Sequence, residues 1–306
     1  MRVATIDIGT NTVLLLVAER GNDGALRAIE ERATITRLGE GVDRTKRLSP
    51  GAIERTRACL REYAGVVRAS GAERVAVVGT SAMRDAGGAE EVREEVRAAL
   101  GVEARVVSGD EEARLTFRGA LSGLPLEGVG DVAVFDIGGG STEVVIGRPG
   151  SPSPPVFAES FDVGSVRLTE RHLMHDPPGA SECEAVARAG REAMARVPPM
   201  PGARAPIGIA GTMTTLAAVS LKLAPYDGSR VHGLRLQREP LRLIVERLAK
   251  LDLATRRDVP GMEPKRADVI VAGGLIALAL LDHWEADEVT VSDRGVRWGL
   301  AEALAG

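Results

Sequence analysis

Aromatic residues and cysteines are scarce in this sequence. Aromatic side chains make up 3% of the 306 residues, so few rings are available to stack on the bases of a single-stranded nucleic acid. The two cysteines, Cys59 and Cys183, each lie in a helix-like stretch. We therefore expect both cysteines to be reduced packing residues rather than a disulfide. The scarcity of aromatic rings leads us to expect that nucleic acid is not a partner.

Histidines and a nucleophilic serine motif are in short supply as well. The chain has only 4 histidines. His172 and His175 resemble half of a zinc site, but no second pair of cysteines or histidines completes it. No serine stands in a Gly-x-Ser-x-Gly context with a following acid and histidine in order. These absences argue against a zinc enzyme and against a serine hydrolase.

Long apolar runs and excess positive charge are absent too. The longest apolar run, residues 269–281, is too short to cross a bilayer and is predicted to be a buried helix. Because the chain enters a strand pattern at once and leaves no room for a signal peptide, we expect a cytoplasmic protein with no membrane partner. The net charge is −4, from 43 acidic and 39 basic residues. A polyanion must therefore meet a local basic cluster.

Two short glycine-rich turns are what the sequence does offer. Each begins with an aspartate at the end of a β-branched run: residues 7–12 read Asp-Ile-Gly-Thr-Asn-Thr, and residues 136–142 read Asp-Ile-Gly-Gly-Gly-Ser-Thr. The flanking residues predict a strand on either side, so each turn closes a hairpin. Glycine lets backbone N–H groups approach a ligand, and hydroxyls add donors, which suits phosphate oxygens. The aspartate can hold a cation beside that anion.

One such turn alone is typical of an ordinary hairpin. Two copies with the same Asp-Ile-Gly core indicate duplicated halves that face each other and bring both turns to one cleft. A chain of 306 residues also exceeds the usual size of a single hydrophobic core. We therefore predict two domains.

Strand and helix patterns alternate in both halves, as in an α/β protein. In the first half, a third strand is predicted over residues 28–36, and Ser49 and Pro50 begin a helix. A strand (75–78), a helix (90–100) and a strand (104–107) follow. The second half starts at Asp131, and Ser181 with Glu184 predicts a capping box at the start of a helix. Strands at 207–210 and 288–291, helices at 212–222 and 240–250, and proline-rich connectors at 150–155 and 198–206 complete the pattern.

The segment 108–114, Ser-Gly-Asp-Glu-Glu-Ala-Arg, has the most distinctive chemistry. Ser108 is well placed to cap a helix, and Glu111 falls where a capping-box carboxylate reaches back to the cap N–H. Glu112 points about a quarter-turn away, toward the small residues Thr116 and Gly119. Helix geometry leaves two interpretations of Glu112 open: a functional acid, or one more first-turn acid favoured by the helix dipole.

Together these segments resemble the exopolyphosphatase and guanosine pentaphosphate phosphohydrolase family, within the actin-like, sugar-kinase and Hsp70-like superfamily. The resemblance implies two ribonuclease-H-like domains of actin type with a cleft between them. It implies domain boundaries of 1–120 plus 295–306 for the first domain and 121–294 for the second. The matching segments are 6–11, 37–41, 79–85, 108–114, 135–147, 162–170, 208–216, 266–274 and 292–300.

The resemblance also implies the catalytic residues. The second glutamate of the family's Ser-Gly-x-Glu-Glu-Ala motif is its catalytic base, and it corresponds to Glu112. Asp136 and Glu143 lie seven residues apart across the second hairpin, close enough to hold one Mg²⁺. The family has its cation there too. Asp7 is a further candidate ligand, and another divalent cation or a monovalent cation is an alternative to Mg²⁺.

Phosphate-binding residues are predicted on both turns and on neighbouring loops. Arg84 follows a buried strand at the end where α/β proteins bind ligands, and Gly211 begins a helix whose N-terminus suits an anion. Arg266 and Arg297 are expected to be salt-bridged surface residues instead. The full predicted set is Asn11, Thr12, Arg37, Thr80, Ser81, Arg84, Gly138, Gly139, Gly140, Ser141, Thr142, Arg167, Gly211 and Thr212.

Three functions are consistent with these predictions. The first is hydrolysis of the terminal phosphate of inorganic polyphosphate, with shorter chains expected because longer family members add helical domains after this core. The second is the same reaction on guanosine pentaphosphate, which would require a base pocket near Gly211 and Asp227 that the sequence does not reveal. The third is an actin-like nucleotide-binding switch or a kinase. The partner is then polyphosphate or a phosphorylated guanosine nucleotide, and a homodimer is left open.

Overall fold

The chain forms two compact units in a computed structural model that describes residues 1–126, 129–151, 155–200 and 205–306. One unit comprises Met1–Gly119 and Val296–Gly306, and the other comprises Ala120–Gly295. The predicted connectors at 150–155 and 198–206 lie partly outside the described residues. The strands and longer helices are β1 (Arg2–Ile8), β2 (Thr12–Arg20), β3 (Leu26–Ile35), α1 (Val42–Thr45), α2 (Pro50–Ser70), β4 (Arg74–Gly79), α3 (Ser81–Asp85), α4 (Ala89–Leu100), β5 (Ala104–Val106), α5 (Gly109–Leu121), β6 (Val132–Ile137), β7 (Thr142–Gly147), β8 (Phe157–Phe161), α6 (Ser165–His172), α7 (Ala180–Met194), β9 (Ile207–Ile209), α8 (Ala210–Leu221), α9 (Gly228–Val231), β10 (Arg235–Gln237), α10 (Arg238–Ala249), α11 (Leu253–Arg257), α12 (Ile270–His283), β11 (Glu288–Val291) and α13 (Val296–Ala305).

The first unit is built on a five-stranded sheet in the order β3-β2-β1-β4-β5. The β1–β2 and β2–β3 pairs are antiparallel, whereas β1, β4 and β5 run parallel. Apolar side chains of α2 and α4 cover one face of the sheet, and α13 covers the other. Three strands therefore end at the same edge, where ligands bind in open α/β sheets.

Helix α2 begins as the sequence predicts. The Ser49 hydroxyl accepts a hydrogen bond from the Ala52 N–H at 3.2 Å, and Pro50 occupies the first helical position. The helix ends at Gly71, whose φ of 67° is the left-handed conformation typical of a glycine at a helix end. Sequence-local signals therefore determine both ends of this helix.

The second unit contains a six-stranded sheet in the order β10-β11-β9-β6-β7-β8. Strands β6, β9 and β11 are parallel, and β7, β8 and β10 run antiparallel to their neighbours. The predicted buried helix is confirmed as α12, which is almost entirely enclosed in this unit's core. Within the described residues, no helix combines the length and apolar character that crossing a membrane requires.

The capping box predicted at Ser181 and Glu184 is wrong. Helix α7 starts one residue earlier, and the Gly179 N–H donates to the Glu182 carboxylate at 2.7 Å. Glu184 instead pairs with Arg191 at 2.5 Å. Two acids, Glu182 and Glu184, stand at this helix start, and the observed capping box uses Glu182.

Candidate functional site

The two glycine-rich turns have the same closing hydrogen bond. The Gly9 N–H donates to the Thr12 carbonyl at 3.1 Å, and the Gly138 N–H donates to the Ser141 carbonyl at 3.0 Å. Each turn joins the two strands of an antiparallel hairpin and follows a strand, β1 or β6, that also pairs with a parallel neighbour. The predicted strand-turn-strand duplication is confirmed.

In the second turn, three consecutive carbonyls are engaged by the start of α6. The carbonyls of residues 138–140 accept from the N–H groups of Ser165, Val166 and Arg167 at 2.9 to 3.1 Å, and from the Arg167 Nε at 2.6 Å. Because the N–H and C=O of one planar peptide point in opposite directions, the N–H groups of the next residues face away from α6. Within the described chain, those of Gly139, Gly140 and Ser141 donate to no other group. Such a row of N–H groups is an anion-binding concavity.

The first turn is held in a parallel way by the residues that follow β3. The Asn11 carbonyl accepts from the N–H groups of Thr36 at 3.1 Å and Arg37 at 3.0 Å, and the Thr10 carbonyl accepts from Gly39 at 2.8 Å. The Asn11 side chain is 7% exposed, and its Nδ2 has no hydrogen-bond partner among the described residues. The structure thus brings the predicted residues Asn11, Thr12 and Arg37 together, with a buried amide donor on the turn.

A glycine on each supporting segment permits this close approach. Sequence reasoning missed Gly164, which supports the second turn. A Cβ on Gly164 would lie 2.4 Å from the Gly139 carbonyl oxygen. A Cβ on Gly39 would lie 2.2 Å from the Thr10 Cγ2. Real Cβ atoms do not approach this closely. At Gly164 the obstructing atoms belong to the backbone, so this position requires glycine, whereas at Gly39 the Thr10 side chain would have to move. The signal for Gly164 in the sequence was the Gly-Ser pair at 164–165, which stands just before a helical pattern.

Glu112 and Arg84 form a partly buried ion pair at the strand edge of the first unit. The Glu112 residue is 6% exposed, and its Oε2 accepts a hydrogen bond from the Arg84 Nη1 at 2.9 Å. The same Arg84 nitrogen lies 3.3 Å from the Val107 carbonyl, and the Arg84 Nε lies 3.4 Å from Asp85. The pair fixes the orientation of the Glu112 carboxylate. The sequence predicted only that Glu112 faces small residues and did not identify Arg84 as its partner.

Parallel pairing brings Thr80 and Ser81 to the same edge. In register, Ile8 of β1 lies opposite Gly79 of β4, and the Thr80 N–H donates to the Ile8 carbonyl at 3.2 Å. The Ser81 hydroxyl donates to Asp85 at 3.1 Å. The predicted residues on α3 therefore adjoin the start of the first turn.

Asp136 and Glu143 lie directly opposite each other on β6 and β7. Side chains of directly opposed residues share one face of the sheet. Glu143 is 1% exposed and accepts a hydrogen bond from the Ser160 hydroxyl at 2.7 Å. In the first hairpin, Asp7 lies opposite Leu14. Only the second of these two hairpins has the facing carboxylates that a hard cation requires.

A third ligand side chain does not join this pair. Among the described residues there is no group of three or more His, Cys, Asp or Glu side chains that would hold a metal. Two carboxylates suit Mg²⁺, which keeps several waters and binds few protein ligands.

Arg266 is not the surface residue that the sequence predicts. Its guanidinium fills the space above Gly211, where a Cβ would lie 1.9 Å from the Arg266 Nη1. Burial lowers the pKa of Arg266, although the carboxylates of Glu263 and Asp136 favour its charged form. Thr212 donates its hydroxyl to the Ile137 carbonyl at 3.1 Å. The space beside Gly211 at the start of α8 is therefore occupied by the half-buried Arg266 guanidinium, which the sequence did not reveal.

Two further expectations need correction. The Ser108 hydroxyl accepts from the Glu111 N–H at 3.2 Å as predicted, but the Glu111 carboxylate lies against Arg105 instead of reaching back to the cap. Arg297 is salt-bridged, to Glu31 at 2.5 Å, but it is 9% exposed and not a surface residue.

Asp227 has a capping function in the second unit. Its carboxylate accepts from the Ser229 N–H at 3.0 Å and from the Ser229 hydroxyl at 2.6 Å. These bonds hold the start of the short helix α9. The base pocket that hydrolysis of guanosine pentaphosphate would require near Gly211 and Asp227 stays a hypothesis.

Comparison with known proteins gives a consistent family. A family model described as the Ppx/GppA phosphatase family matches residues 16–304. A protein of Mycobacterium tuberculosis (strain ATCC 25618 / H37Rv) named Exopolyphosphatase 2 is 40% identical over 320 residues, covering 100% of this chain and 99% of the relative. A protein of Vibrio atlanticus (strain LGP32) named guanosine-5'-triphosphate,3'-diphosphate pyrophosphatase is 29% identical and covers 97% of this chain and 58% of its own.

Solved structures agree in fold over the whole chain. A crystal structure of an exopolyphosphatase-like protein has a TM-score of 0.91 at 34% identity and covers 99% of this chain and 97% of that one. The Aquifex aeolicus member of the Ppx/GppA family has a TM-score of 0.84 at 35% identity and covers 100% of this chain and 97% of that one. The predicted α/β fold with two sheets is confirmed.

Proposed function

The chain belongs to the Ppx/GppA phosphatase family, and we propose that it hydrolyses the terminal phosphoanhydride bond of inorganic polyphosphate and releases orthophosphate. The observation that carries the proposal is the buried Glu112, held by Arg84 at the strand edge where the first glycine-rich turn begins. A relative that shares 40% of its residues with this chain and is named Exopolyphosphatase 2 supports the substrate class.

Glu112 is the proposed general base. A carboxylate held in one orientation can position a water for attack on the terminal phosphorus and accept its proton. The transition state of phosphoryl transfer is loose and demands little activation of the nucleophile. The positions of Glu112 and Arg84 therefore matter more than the basicity of the carboxylate.

The backbone donors of the turns are the proposed phosphate ligands. The N–H groups of Gly139, Gly140 and Ser141 are oriented by the bonds to the carbonyls on the opposite side of their peptides and need no rearrangement when an anion arrives. The buried Asn11 amide adds a further donor on the first turn. Preorganised donors of this kind stabilise charge that develops in a transition state. Arg167, whose Nε binds the Gly140 carbonyl, keeps the second turn in its donor conformation.

A hard divalent cation, Mg²⁺ by preference, is proposed at Asp136 and Glu143. The facing carboxylates of β6 and β7 are the oxygen ligands that this ion selects. When bound, the ion would neutralise phosphate oxygens and make the approach of a polyanion to these carboxylates favourable. Another divalent cation or a monovalent cation is the alternative at the same residues.

The experiment is phosphate release from tripolyphosphate, long-chain polyphosphate and guanosine pentaphosphate, with Mg²⁺ and with excess chelator. We expect Mg²⁺-dependent release from both polyphosphates. Release from guanosine pentaphosphate alone would establish the second candidate, which the Vibrio atlanticus relative favours by its name. Phosphorylation of an acceptor without hydrolysis would identify a kinase and overturn the proposal.

Asp136→Asn tests the cation site. The substitution keeps the shape of the side chain but removes one of two facing charges, so we expect the Mg²⁺ concentration for half-maximal activity to rise about tenfold or more. Asp131→Asn is the matched control, because Asp131 precedes the same strand and pairs with Arg148 at 3.5 Å. Equal Mg²⁺ requirements in both variants would contradict the assignment.

A further inference from the structure

An exposed basic segment, which we call the basic loop, comprises most of the short helix α1 and the two residues after it in the first unit. We define it as residues 43–47, Asp-Arg-Thr-Lys-Arg. Arg44, Lys46 and Arg47 are all exposed, and Asp43, the only acid in the loop, lies 3.8 Å from the Lys46 Nζ. The loop thus presents a net positive charge to solvent in a chain whose total charge is −4.

The basic loop is anchored on both sides to the candidate site of its own unit. On the amino side, the Val42 N–H donates to the carbonyl of Gly39, the residue that supports the first turn, at 3.2 Å. On the carboxyl side, the Gly87 N–H donates to the Lys46 carbonyl at 3.0 Å, and the Leu48 N–H donates to the Gly87 carbonyl at 2.9 Å. Gly87 comes shortly after α3, which carries Arg84. The loop therefore connects the support of the first turn with the end of the Arg84 helix.

Two cations of the basic loop are not neutralised within the protein. Arg44 and Arg47 make no ion pair with any residue that the structure describes. By contrast, the next three arginines along the chain, at positions 55, 57 and 61, all contact glutamates within 2.9 Å. Arginines that are left without acidic partners beside a phosphate site are available for an anionic ligand.

Lys46, the third cation of the basic loop, has a strained backbone conformation. Its φ of 54° is left-handed, at a helix end where glycine is the ordinary residue. A residue with a Cβ is strained in that conformation. The lysine charge is a physical reason to keep a strained residue at this position.

We infer that the basic loop binds phosphate groups of a polyphosphate chain beyond the terminal ones and thereby favours longer chains over tripolyphosphate, so that the preference for shorter chains expected from the sequence does not extend to the shortest ones. The inference rests on the proposed function and assigns it a second subsite. A chain of regularly spaced phosphates can contact several cations at once, and each contact releases counterions. With aromatic residues at 3% of the chain, the loop is suited to phosphates rather than to stacked bases.

The test is the triple variant Arg44→Gln/Lys46→Gln/Arg47→Gln. We expect KM for long-chain polyphosphate to rise about threefold to tenfold, with kcat and the KM for tripolyphosphate nearly unchanged. The slope of log KM against log salt for the long chain should fall by about two, since up to three phosphate contacts are lost. The control Arg247→Gln/Lys250→Gln/Arg257→Gln removes the same charge from exposed positions of the second unit and should leave the ratio of the two KM values unchanged.

Lys46→Gly separates charge from structure. It removes one cation and relieves the left-handed strain, so the thermal midpoint should not fall while the long-chain KM still rises. Unchanged KM ratios in the triple variant, an equal change in the control, or equally strong competition by a single-stranded oligonucleotide in the wild type and the triple variant would overturn the inference. If the wild type releases no phosphate from either tripolyphosphate or long-chain polyphosphate, the proposed function itself fails, which is a distinct result.

Discussion

Glu111 and Glu112 are neighbours in sequence but have different surroundings. The helix turns by about a quarter-turn between them. Glu112 faces inward, where Arg84 binds it at 2.9 Å. Glu111 faces outward, with a side chain 37% exposed beside Arg105. Two chemically identical residues therefore differ in function because of which side of α5 faces the strand edge.

Glu112→Gln should reduce kcat by roughly two to four decades while the protein stays folded, because the change removes a general base but keeps its shape. Glu111→Gln should leave both kcat and stability nearly unchanged, since an exposed ion pair contributes little. Single-turnover phosphate release and thermal unfolding of the two variants provide the measurements. Equal losses of activity in two folded variants would contradict this division.

At the scale of elements, each glycine-rich turn is held by a segment that follows the next strand after its hairpin, which is β3 in the first unit and β8 in the second. Residues 36–39 bind the carbonyls of the first turn, and residues 165–167 bind those of the second. The turn and its support form one unit in each half of the chain. Sequence patterns identified the turns, while the supports became visible only through their contacts.

Gly164→Ala should weaken substrate binding through the second turn. The new Cβ would meet the backbone of Gly139 and Gly140 within 2.6 Å, and backbone atoms cannot move aside without rotating the peptides whose N–H groups face the ligand. We expect KM to rise and thermal stability to fall, as is typical of forced close contacts. Gly65→Ala is the control: no atom lies within 4 Å of its Cβ position in α2, so the helix should become slightly more stable. Wild-type KM in Gly164→Ala would refute the supporting role.

Glu95 joins α4 to α2 and makes the first unit sensitive to acid. Hydrogen bonds from Arg61 and Arg57 hold the pKa of Glu95 below its ordinary value of 4.5. A carboxylate with a lowered pKa stabilises the folded state fully above that ordinary value, and the contribution is lost as the pH falls through the folded-state pKa.

Glu95→Gln should therefore lower the free energy of unfolding by about 1 kcal/mol at neutral pH and by less in acid. Urea unfolding at neutral pH and below pH 4 measures the difference. Glu54→Gln, at an exposed partner of the same arginines, should have little effect at either pH. A Glu95→Gln effect that is the same at both pH values would argue against an electrostatic cause.

At the scale of the whole molecule, each of the two units has apolar packing of its own, with one large cluster in the second unit and clusters on both faces of the sheet in the first. The first unit is discontinuous, because α13 returns to pack Trp298 against Val3, Leu16 and Ala18 of its sheet. The second unit has its own core around α12, with Trp284 at its border. The only two tryptophans of the chain therefore report on different units.

Leu16→Ala should destabilise the first unit by about 2–5 kcal/mol, because Leu16 is fully buried against α13. In a Trp284→Phe background, the fluorescence of Trp298 follows this unit alone during denaturant unfolding. Leu243→Ala, at an exposed position of the second unit, should not shift that transition. An unshifted Trp298 transition in Leu16→Ala would show that α13 does not depend on this contact.

Local patterns carried much of the fold. The hairpins around the two Asp-Ile-Gly turns, the Ser49 cap with Pro50, and the buried helix α12 were predicted because each depends on residues close together in sequence. The capping box at Ser181 and the back-reaching Glu111 were wrong for a related reason. Several acids compete for one helix start, and local spacing does not decide among them.

By itself, then, the sequence determined the strand-turn-strand repeats, the α/β class and the family, all of which follow from patterns within short segments. Tertiary structure alone decided which groups meet: Arg84 with Glu112, 28 residues apart, Arg266 above Gly211, and Gly164 against the second turn. Such contacts depend on the order of strands in a sheet and on how loops pack at its edge. Because the entropy of loop closure grows only slowly with loop length, residues far apart in the sequence can meet at little additional cost. Such contacts need no local sequence pattern, and none predicts them.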